Sequence, residues 1–278
     1  MHRKRTEKRI GGFLVSIPLY IYCIFSLFFL AYAFINPFKS TQEFFVNILG
    51  LPGEWTTENI QKVVGEADFG RYYENSIFVV ILATVLILLV ASMGAYGLSR
   101  YKFRGLNLVN SLFLLGMMFP ATIMIIPQFL VAQKMGLVNN LVGLGVIFAA
   151  TQYSFSFFIL HGFFKTLPHE VSEAAKIDGA GEFCIFLKIM MPMAKPVLGT
   201  VMTITAIGVW NDYFTSLIMI YDNKKQTLPL ALANFFTINK ANWPLVFAAV
   251  FVCTVPIIVV YFFGSKQIVK GLTAGAVK

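Results

Sequence analysis

The chain has 278 residues, of which 58% are hydrophobic and only 13% are charged. Soluble domains carry roughly 25% charged residues, so this composition excludes a soluble globular protein and indicates a membrane protein. The 22 Lys and Arg outnumber the 13 Asp and Glu, but they are scattered at the ends of apolar runs, which argues against nucleic-acid binding. Cys23, Cys184 and Cys253 are odd in number and far apart, so neither a disulfide framework nor a metal cluster is indicated.

The N-terminus carries five basic residues between Arg3 and Arg9, followed by an uncharged run from Ile10 to Phe38. A secretory signal peptide begins in the same way, and Ala31–Tyr32–Ala33 imitates a cleavage site. The apolar run is, however, longer than the 7–15 residues that signal peptides use. We therefore expect a basic cytoplasmic tail over residues 1–9 and a retained transmembrane helix over residues 10–35.

Further along the chain, more apolar runs reach the length of about 20 residues that a bilayer crossing needs. These runs are Ser76–Leu98, Leu106–Ala132, Leu141–His161, Val197–Ile220 and Leu245–Gly264. Together with the first helix they predict an all-α integral membrane protein with six transmembrane helices and both termini on one side.

Basic residues favour one orientation of this arrangement. Fifteen of them fall on the side of the termini and seven on the other side, and cytoplasmic loops carry the excess of Lys and Arg. Both termini are therefore expected in the cytoplasm. The remaining parts are a loop outside the cytoplasm over residues 36–75, a transmembrane core over residues 76–264 and a cytoplasmic tail over residues 265–278.

A mixed-charge stretch over residues 165–196, which we call the EAA segment, is predicted to form two short helices in the cytoplasm. Pro168 suits a first helical turn, and Glu173 places negative charge near the positive end of the helix dipole. Asp178–Gly179 is suited to ending that helix, and Pro192 is expected to end the second one. The second helix is predicted to bury one apolar face: Phe183, Phe186, Leu187, Met190 and Met191. An amphipathic loop lying on the membrane surface is the alternative.

The spacing of Glu173–Ala174–Ala175, Gly179, Ile189 and Pro192 resembles the EAA signature of permease subunits of binding-protein-dependent ABC importers. Other stretches are similar to the carbohydrate-uptake branch of that family, in particular to the shorter of two paired, maltose-type permeases. These stretches are Met118–Pro120, Ile126–Pro127, Gly136–Asn140, Trp210–Tyr213 and the tail Val269–Lys278. The resemblance covers the chain from about Asn75 to its end. It implies the type I ABC importer permease fold, with a cytoplasmic coupling helix.

The resemblance also implies a mechanical role for the EAA segment. Its first helix would seat in a cleft of an ATPase subunit, Glu173 would pair with a basic residue there, and Gly179 would set the angle to the second helix. The residues expected to couple to the ATPase are Glu173, Ala174, Ala175, Asp178, Gly179, Ala180 and Pro192. Because the chain has no G-x-x-x-x-G-K-[ST] motif, we expect no catalytic residues and no cofactor or metal on it, and ATP-Mg on a separate ATPase dimer.

Polar residues inside the apolar runs are candidates for a transport pathway. Gln152, Tyr153 and Ser156 lie in the middle of the fourth run, and clustered polar side chains are expected to face the bundle interior rather than lipid. In the fifth run Asp212 carries a charge beside Asn211. Because a carboxylate at the bilayer centre costs about 2.5–3.5 kcal/mol, Asp212 is expected either to line or gate the pathway or to form a hydrogen bond between helices.

Six helices are few to enclose a sugar-sized route, so a second, homologous permease is expected as a partner in a bacterial plasma membrane. The resemblance further implies an extracellular or periplasmic sugar-binding protein and a sugar or oligosaccharide substrate. The first outward loop, residues 36–75, is either a solvated cap or part of a docking surface for that protein. The resemblance implies that the second outward loop, Asp222–Pro244, touches the binding protein or its sugar. Three alternatives remain open: a permease for a polyol or glycerol phosphodiester, a secondary transporter and a membrane-embedded enzyme.

Overall fold

The computed structural model describes residues 2–66, 68–239 and 242–274, so residues 275–278 of the tail motif lie outside the described part. Every regular element within those ranges is helical. The elements are α1 (His2–Ile35), α2 (Thr41–Val46), α3 (Glu58–Glu66), α4 (Phe69–Arg100), α5 (Leu106–Met118), α6 (Ala121–Lys134), α7 (Leu141–Thr166), α8 (His169–Ile177), α9 (Glu182–Ile185), α10 (Met191–Met193), α11 (Lys195–Trp210), α12 (Phe214–Met219), α13 (Leu228–Ile238) and α14 (Trp243–Ala274).

The chain forms two compact units, and the first comprises Met1–Asp68 and Asn234–Thr254. In this unit the residues after α1, expected as a polar loop, are folded. The hydroxyl of Ser40 accepts a hydrogen bond of 3.2 Å from the N–H of Glu43 and so caps α2. The Lys39 side chain is fully buried, and its Nζ donates to the carbonyl of Asn47 at 2.7 Å. The amide of Asn59 donates to the carbonyl of Lys39 at 2.8 Å, which fastens α3 to the same turn.

The second unit comprises Phe69–Ala233 and Val255–Lys278. Its centre is the pair α4 and α7, which pack along each other, and α11 packs against both. The close approach depends on small residues. A Cβ added to Gly145 of α7 would lie 2.8 Å from the side chain of Leu82 on α4. Plain helix packing therefore accounts for this glycine.

Among the residues that the structure describes, four helical stretches are long and apolar enough to cross a membrane by length and composition: residues 16–38, 69–100, 141–166 and 243–265. Two bent helix pairs bring the number to six if each pair counts as one span. In one pair Leu106–Met118 meets Thr122–Lys134 at 113°, and in the other Glu182–Met193 meets Lys195–Trp210 at 77°. The predicted all-α membrane class is confirmed, with four to six apolar spans.

The third run, Leu106–Ala132, was expected to cross the bilayer, and the structure shows that it is not one continuous helix. Helix α5 ends at Met118, and Phe119 takes extended dihedrals with φ −80° and ψ 122°. Pro120 explains the break, because proline pushes the preceding residue out of the helical region and offers no N–H of its own. Pro127, by contrast, lies inside α6.

The fifth run, Val197–Ile220, is also not one continuous helix. Helix α11 ends at Trp210, and α12 begins only at Phe214. Between them the carboxylate of Asp212 accepts hydrogen bonds from the backbone N–H groups of Thr215 and Ser216. Short polar side chains compete in this way with helical hydrogen bonds, and the competition ends the span inside an apolar run.

Candidate coupling segment and transport pathway

The EAA segment consists of two helical halves joined by a glycine turn, as predicted. Helix α8 ends at Ile177, and Gly179 has a φ of +82°. The N–H of Ala180 donates to the carbonyl of Ala175 at 2.9 Å, and that of Gly179 donates to Lys176 at 3.0 Å. These two bonds form a Schellman motif, which needs a left-handed residue where Gly179 stands.

The second half is less regular than predicted. Helix α9 continues into a π-helix over Phe186–Met190 and then into α10, which contains Pro192. Pro192 was expected to end this helix, but the break falls at Ala194, two residues later. Because Pro192 donates no N–H to the preceding turn, the helix before it widens instead of stopping.

One face of α8 is open to solvent. Ser172 and Ala175 are buried on the opposite face. The exposed residues at helical spacing are Glu170, Glu173, Ala174 and Ile177. Ile177 is 87% exposed, so this face combines two carboxylates with a large apolar side chain. Such a combination is typical of a surface that another protein covers.

The apolar face of the second half was predicted correctly only in part. Phe186 and Met190 are buried, as expected, and Ile185 is buried with them. Phe183 and Leu187 were also expected to be buried, but they are 66% and 44% exposed. Packing against α4 selects this face, because the ring of Phe186 lies 5.3 Å from that of Tyr96.

Charged and phenolic groups meet where the two halves approach each other. Lys176 Nζ lies 2.5 Å from Glu182 Oε1, and Glu182 also accepts hydrogen bonds from Tyr101 and Tyr96. The hydrogen bonds from Lys176 and Tyr101 hold the pKa of Glu182 below its ordinary value, and Glu182 raises the pKa of Lys176. Burial, and then the hydrogen bond to Glu182, raise the pKa of Tyr101. The phenol therefore stays a donor.

The three polar candidates in α7 have different surroundings. The amide nitrogen of Gln152 would lie 3.1 Å from a Cβ on Gly208 of α11, and the hydroxyl of Tyr153 lies over Gly94 of α4. Both side chains are half-buried. Ser156 is fully buried between helices in this arrangement, and its pathway role stays a prediction.

Asn211 and Asp212 lie in the break between α11 and α12, where Asn211 is exposed and Asp212 half-buried. The two oxygens of the Asp212 carboxylate accept bonds of 3.0 Å from the N–H and the hydroxyl of Thr215. Asp212 therefore caps the first turn of α12. The expected pathway or gating role and the expected bond between helices stay predictions.

A junction that the sequence did not single out lies at the other end of α12. Asn139 has a φ of +55°, and its N–H donates to the carbonyl of Met219 at 2.7 Å. Its side-chain oxygen accepts from the N–H of Asp222 at 3.0 Å, and its carbonyl accepts from Lys225 Nζ at 2.9 Å. Asparagine tolerates the left-handed region better than most residues. Asn139 therefore forms the turn before α7 and also binds the segment from Met219 to Lys225.

Two residues at the start of α4 complete this junction. The amide of Asn75 donates to the carbonyls of Lys224 at 3.0 Å and Gln226 at 2.9 Å. The hydroxyl of Ser76 accepts from the N–H of Leu228 at 2.7 Å. We call these contacts the asparagine junction: Asn75, Ser76 and Asn139 with Met219–Leu228. The stretch Gly136–Asn140, noted for its resemblance, was the only sequence signal for it.

Comparison with known proteins supports a specific family. Residues 87–272 match the family described as binding-protein-dependent transport system inner membrane component. The chain is 34% identical over 242 residues to the diacetylchitobiose uptake system permease protein NgcG of Streptomyces coelicolor, covering 86% of this chain and 80% of that protein. It is 30% identical over 279 residues to the arabinooligosaccharides transport system permease protein AraQ of Halalkalibacterium halodurans, covering 99% of both.

A solved structure gives the same answer for the fold. The chain superimposes with a TM-score of 0.83 and 26% identity on a chain of a bacterial ABC transporter involved in the import of the acidic polysaccharide alginate, covering 94% of this chain and 97% of that one. The chain therefore belongs to the inner membrane components of binding-protein-dependent transport systems, with the type I ABC importer permease fold. It is a multi-pass transport subunit rather than an enzyme, and the family resemblance is confirmed.

Proposed function

We propose that this chain forms half of the translocation path of an ATP-driven importer for a disaccharide or oligosaccharide. The sugar uptake systems named for its relatives support this substrate class. Both termini and the EAA segment face the cytoplasm in this proposal, in line with the fifteen basic residues on that side. The second half of the path comes from a homologous permease, and a binding protein delivers the sugar from outside.

The observation that carries the proposal is the exposed face of α8. Glu170 and Glu173 flank Ala174, a small residue that allows close approach, and Ile177 extends the face with apolar surface. Phe183 adds a second exposed apolar group after the glycine turn. An ATPase subunit with a cleft lined by basic and apolar side chains fits this face, and Glu173 pairs with one of its cations. ATP-Mg binds to that ATPase dimer, not to this chain.

Gln152 and Tyr153 are the proposed contributions of this chain to the pathway, with Asn211 near its outer part. An aromatic ring stacks on the apolar face of a sugar, and an amide satisfies its hydroxyl groups. Both side chains are half-buried against neighbouring helices, so helix movement would expose or cover them. Tyr153→Leu, which removes the ring but keeps much of its bulk, is expected to weaken uptake of the transported sugar without preventing assembly.

Co-expression with the cognate ATPase and second permease tests the proposal directly. The wild-type complex should purify with the ATPase and hydrolyse ATP faster when the sugar-loaded binding protein is added. Glu173→Lys should abolish that association, because it places like charges in the ATPase cleft. Glu74→Lys reverses an exposed charge at the far end of α4 and serves as the matched control.

Two results would contradict this proposal. A wild-type chain that purifies without an ATPase would contradict the importer function. Full association of the Glu173→Lys variant with the ATPase would contradict the role of α8. Binding of candidate ligands to the cognate binding protein, measured by calorimetry, decides the substrate. Preference for a polyol or glycerol phosphodiester over sugars would overturn the sugar assignment.

A further inference from the structure

The C-terminal end of α4 contacts the EAA segment on both sides of Gly179. Arg100 Nη1 donates to the carbonyl of Pro168, just before α8, at 3.4 Å. Its other terminal nitrogen lies 3.8 Å from the sulfur of Met190, in the second half of the segment. The ring of Tyr96 packs at 5.3 Å from that of Phe186. One helix end therefore contacts both halves of the segment.

Glu182 joins the same three parts through a single carboxylate. It forms an ion pair of 2.5 Å with Lys176 of α8. The hydroxyls of Tyr96 on α4 and of Tyr101 just after it lie close enough to this carboxylate to help lower its pKa. Since Glu182 itself begins α9, its contacts connect α8, α9 and α4 across the glycine turn.

Only the two backbone hydrogen bonds of the Schellman motif hold the turn itself, because no described side chain packs against Gly179. No described heavy atom other than its chain neighbours lies within 4 Å of a Cβ placed on Gly179, and its φ is +82°. Glycine has the widest choice of backbone dihedrals. Without contacts across the turn, a push on α8 would rotate α8 about Gly179 and leave the rest of the segment in place.

We propose that Glu182 is a positioning residue for coupling, which fixes α8, the second half of the EAA segment and the end of α4 as one moving body. On this proposal, which rests on the importer function above, α4 receives the displacement that the ATPase imposes on α8. The ATP-driven change is then delivered to the tightly packed pair α4 and α7, where the proposed pathway residues Gln152 and Tyr153 lie.

The first test compares Glu182→Gln with Lys188→Gln in the full complex reconstituted in proteoliposomes. Lys188 is exposed in the same segment, so its variant matches the loss of one charge. The Glu182→Gln variant should still purify with the ATPase, while the sugar imported per ATP hydrolysed falls by about fivefold or more, as expected for the loss of coupling between two sites. The Lys188→Gln variant should retain the wild-type ratio. Equal ratios in the two variants would overturn the proposal.

A second test rescues the connection with a reversible bridge. Tyr101→Cys and Glu182→Cys are combined in a chain whose native Cys23, Cys184 and Cys253 are replaced, and a short bifunctional thiol reagent links the new pair. Without the link, the variant should import little sugar per ATP hydrolysed. With the link, the ratio should rise toward the wild-type value if the joined parts move together. Linked protein that stays uncoupled, or that is blocked, would contradict the proposal. Loss of the ATPase from wild type would instead contradict the importer function.

Discussion

The EAA segment and the asparagine junction both connect helices of the second unit, but they are held in different ways. At the asparagine junction, side-chain amides and a hydroxyl bond directly to backbone groups, and Asn75 and Ser76 are buried. In the EAA segment, a half-exposed ion pair and ring packing hold the two halves, while Ile177 and Phe183 remain in solvent.

The difference indicates which region is built to move with a partner. Buried donors that lose their acceptors carry a large penalty, so the asparagine junction has one favoured geometry. The EAA segment buries Ala175, Ile185 and Met190 in the core of the second unit, but its face on α8 is left open for another protein. The region with the open face is therefore the one to which we assign the transmission of force.

Gly179→Val should have the largest effect, because it disturbs the turn on which the EAA segment depends. A non-glycine residue in the left-handed region is destabilised by about 1–2 kcal/mol, and a β-branched one most of all. We expect insertion and membrane levels to remain, while binding-protein-stimulated uptake falls by about tenfold or more. Gly179→Asn, which tolerates this conformation better, is the control. Normal uptake by the valine variant would contradict the role of the turn.

Asn75→Ala should destabilise the asparagine junction, because it leaves the carbonyls of Lys224 and Gln226 without their donor. Loss of such buried bonds costs about 1–3 kcal/mol, which should lower the thermal midpoint of the detergent-solubilised protein. Asn223→Ala removes an exposed amide from the same turn and should change the midpoint less. A larger drop of the thermal midpoint in Asn223→Ala than in Asn75→Ala would contradict the role of Asn75 in the junction.

Substitution of Asp212 tests whether α12, the helix that leads to the asparagine junction, depends on its cap. Asp212→Ala should cost about 1 kcal/mol through the loss of the cap on α12, whereas Asp212→Asn keeps an acceptor and should be close to wild type in stability. Uptake and coupled ATP hydrolysis are also expected to be lower in Asp212→Ala than in Asp212→Asn, which should be close to wild type. A severe transport defect in a stable Asp212→Asn protein would instead favour the pathway or gating role.

The smallest effect on stability is expected for loss of the ion pair between Lys176 and Glu182. Their side chains are 50% and 47% exposed, so solvent screens the attraction between the charges. The pKa of Glu182 is lowered, so the stabilisation is present above the ordinary value of 4.5 and is lost as pH falls through the lower folded value. The pKa of Lys176 is raised, so the stabilisation is lost only as pH rises through a value above 10.5.

The thermal midpoints of wild type and Lys176→Gln should therefore differ by a small, constant amount across neutral pH, and the difference should shrink in strong acid. Midpoints measured by intrinsic fluorescence at several pH values check this. A difference that changes between about pH 6 and pH 8 would mean that another group titrates with the pair.

The sequence alone determined the membrane class, the family and the glycine turn. Run length and the scarcity of charge decide membrane insertion almost independently of tertiary contacts. The Asp178–Gly179 pair specifies its turn locally, because the left-handed conformation at Gly179 is a property of one residue and its neighbours. The family was identified from the spacing of Glu173, Gly179 and Pro192, because these residues lie close together in the chain and their spacing is visible without the tertiary structure.

Only the tertiary structure decided which residues of each element meet. Phe183 and Phe186 fit the same helical period, and contact with Tyr96, nearly ninety positions earlier in the chain, buries only Phe186. The asparagine junction joins Asn75 to a carbonyl 151 positions away, which local pattern does not encode. Hydrophobic periodicity specifies that a face is buried, but the partner surface selects the face, because the energy of burial belongs to the pair of surfaces and not to either sequence alone.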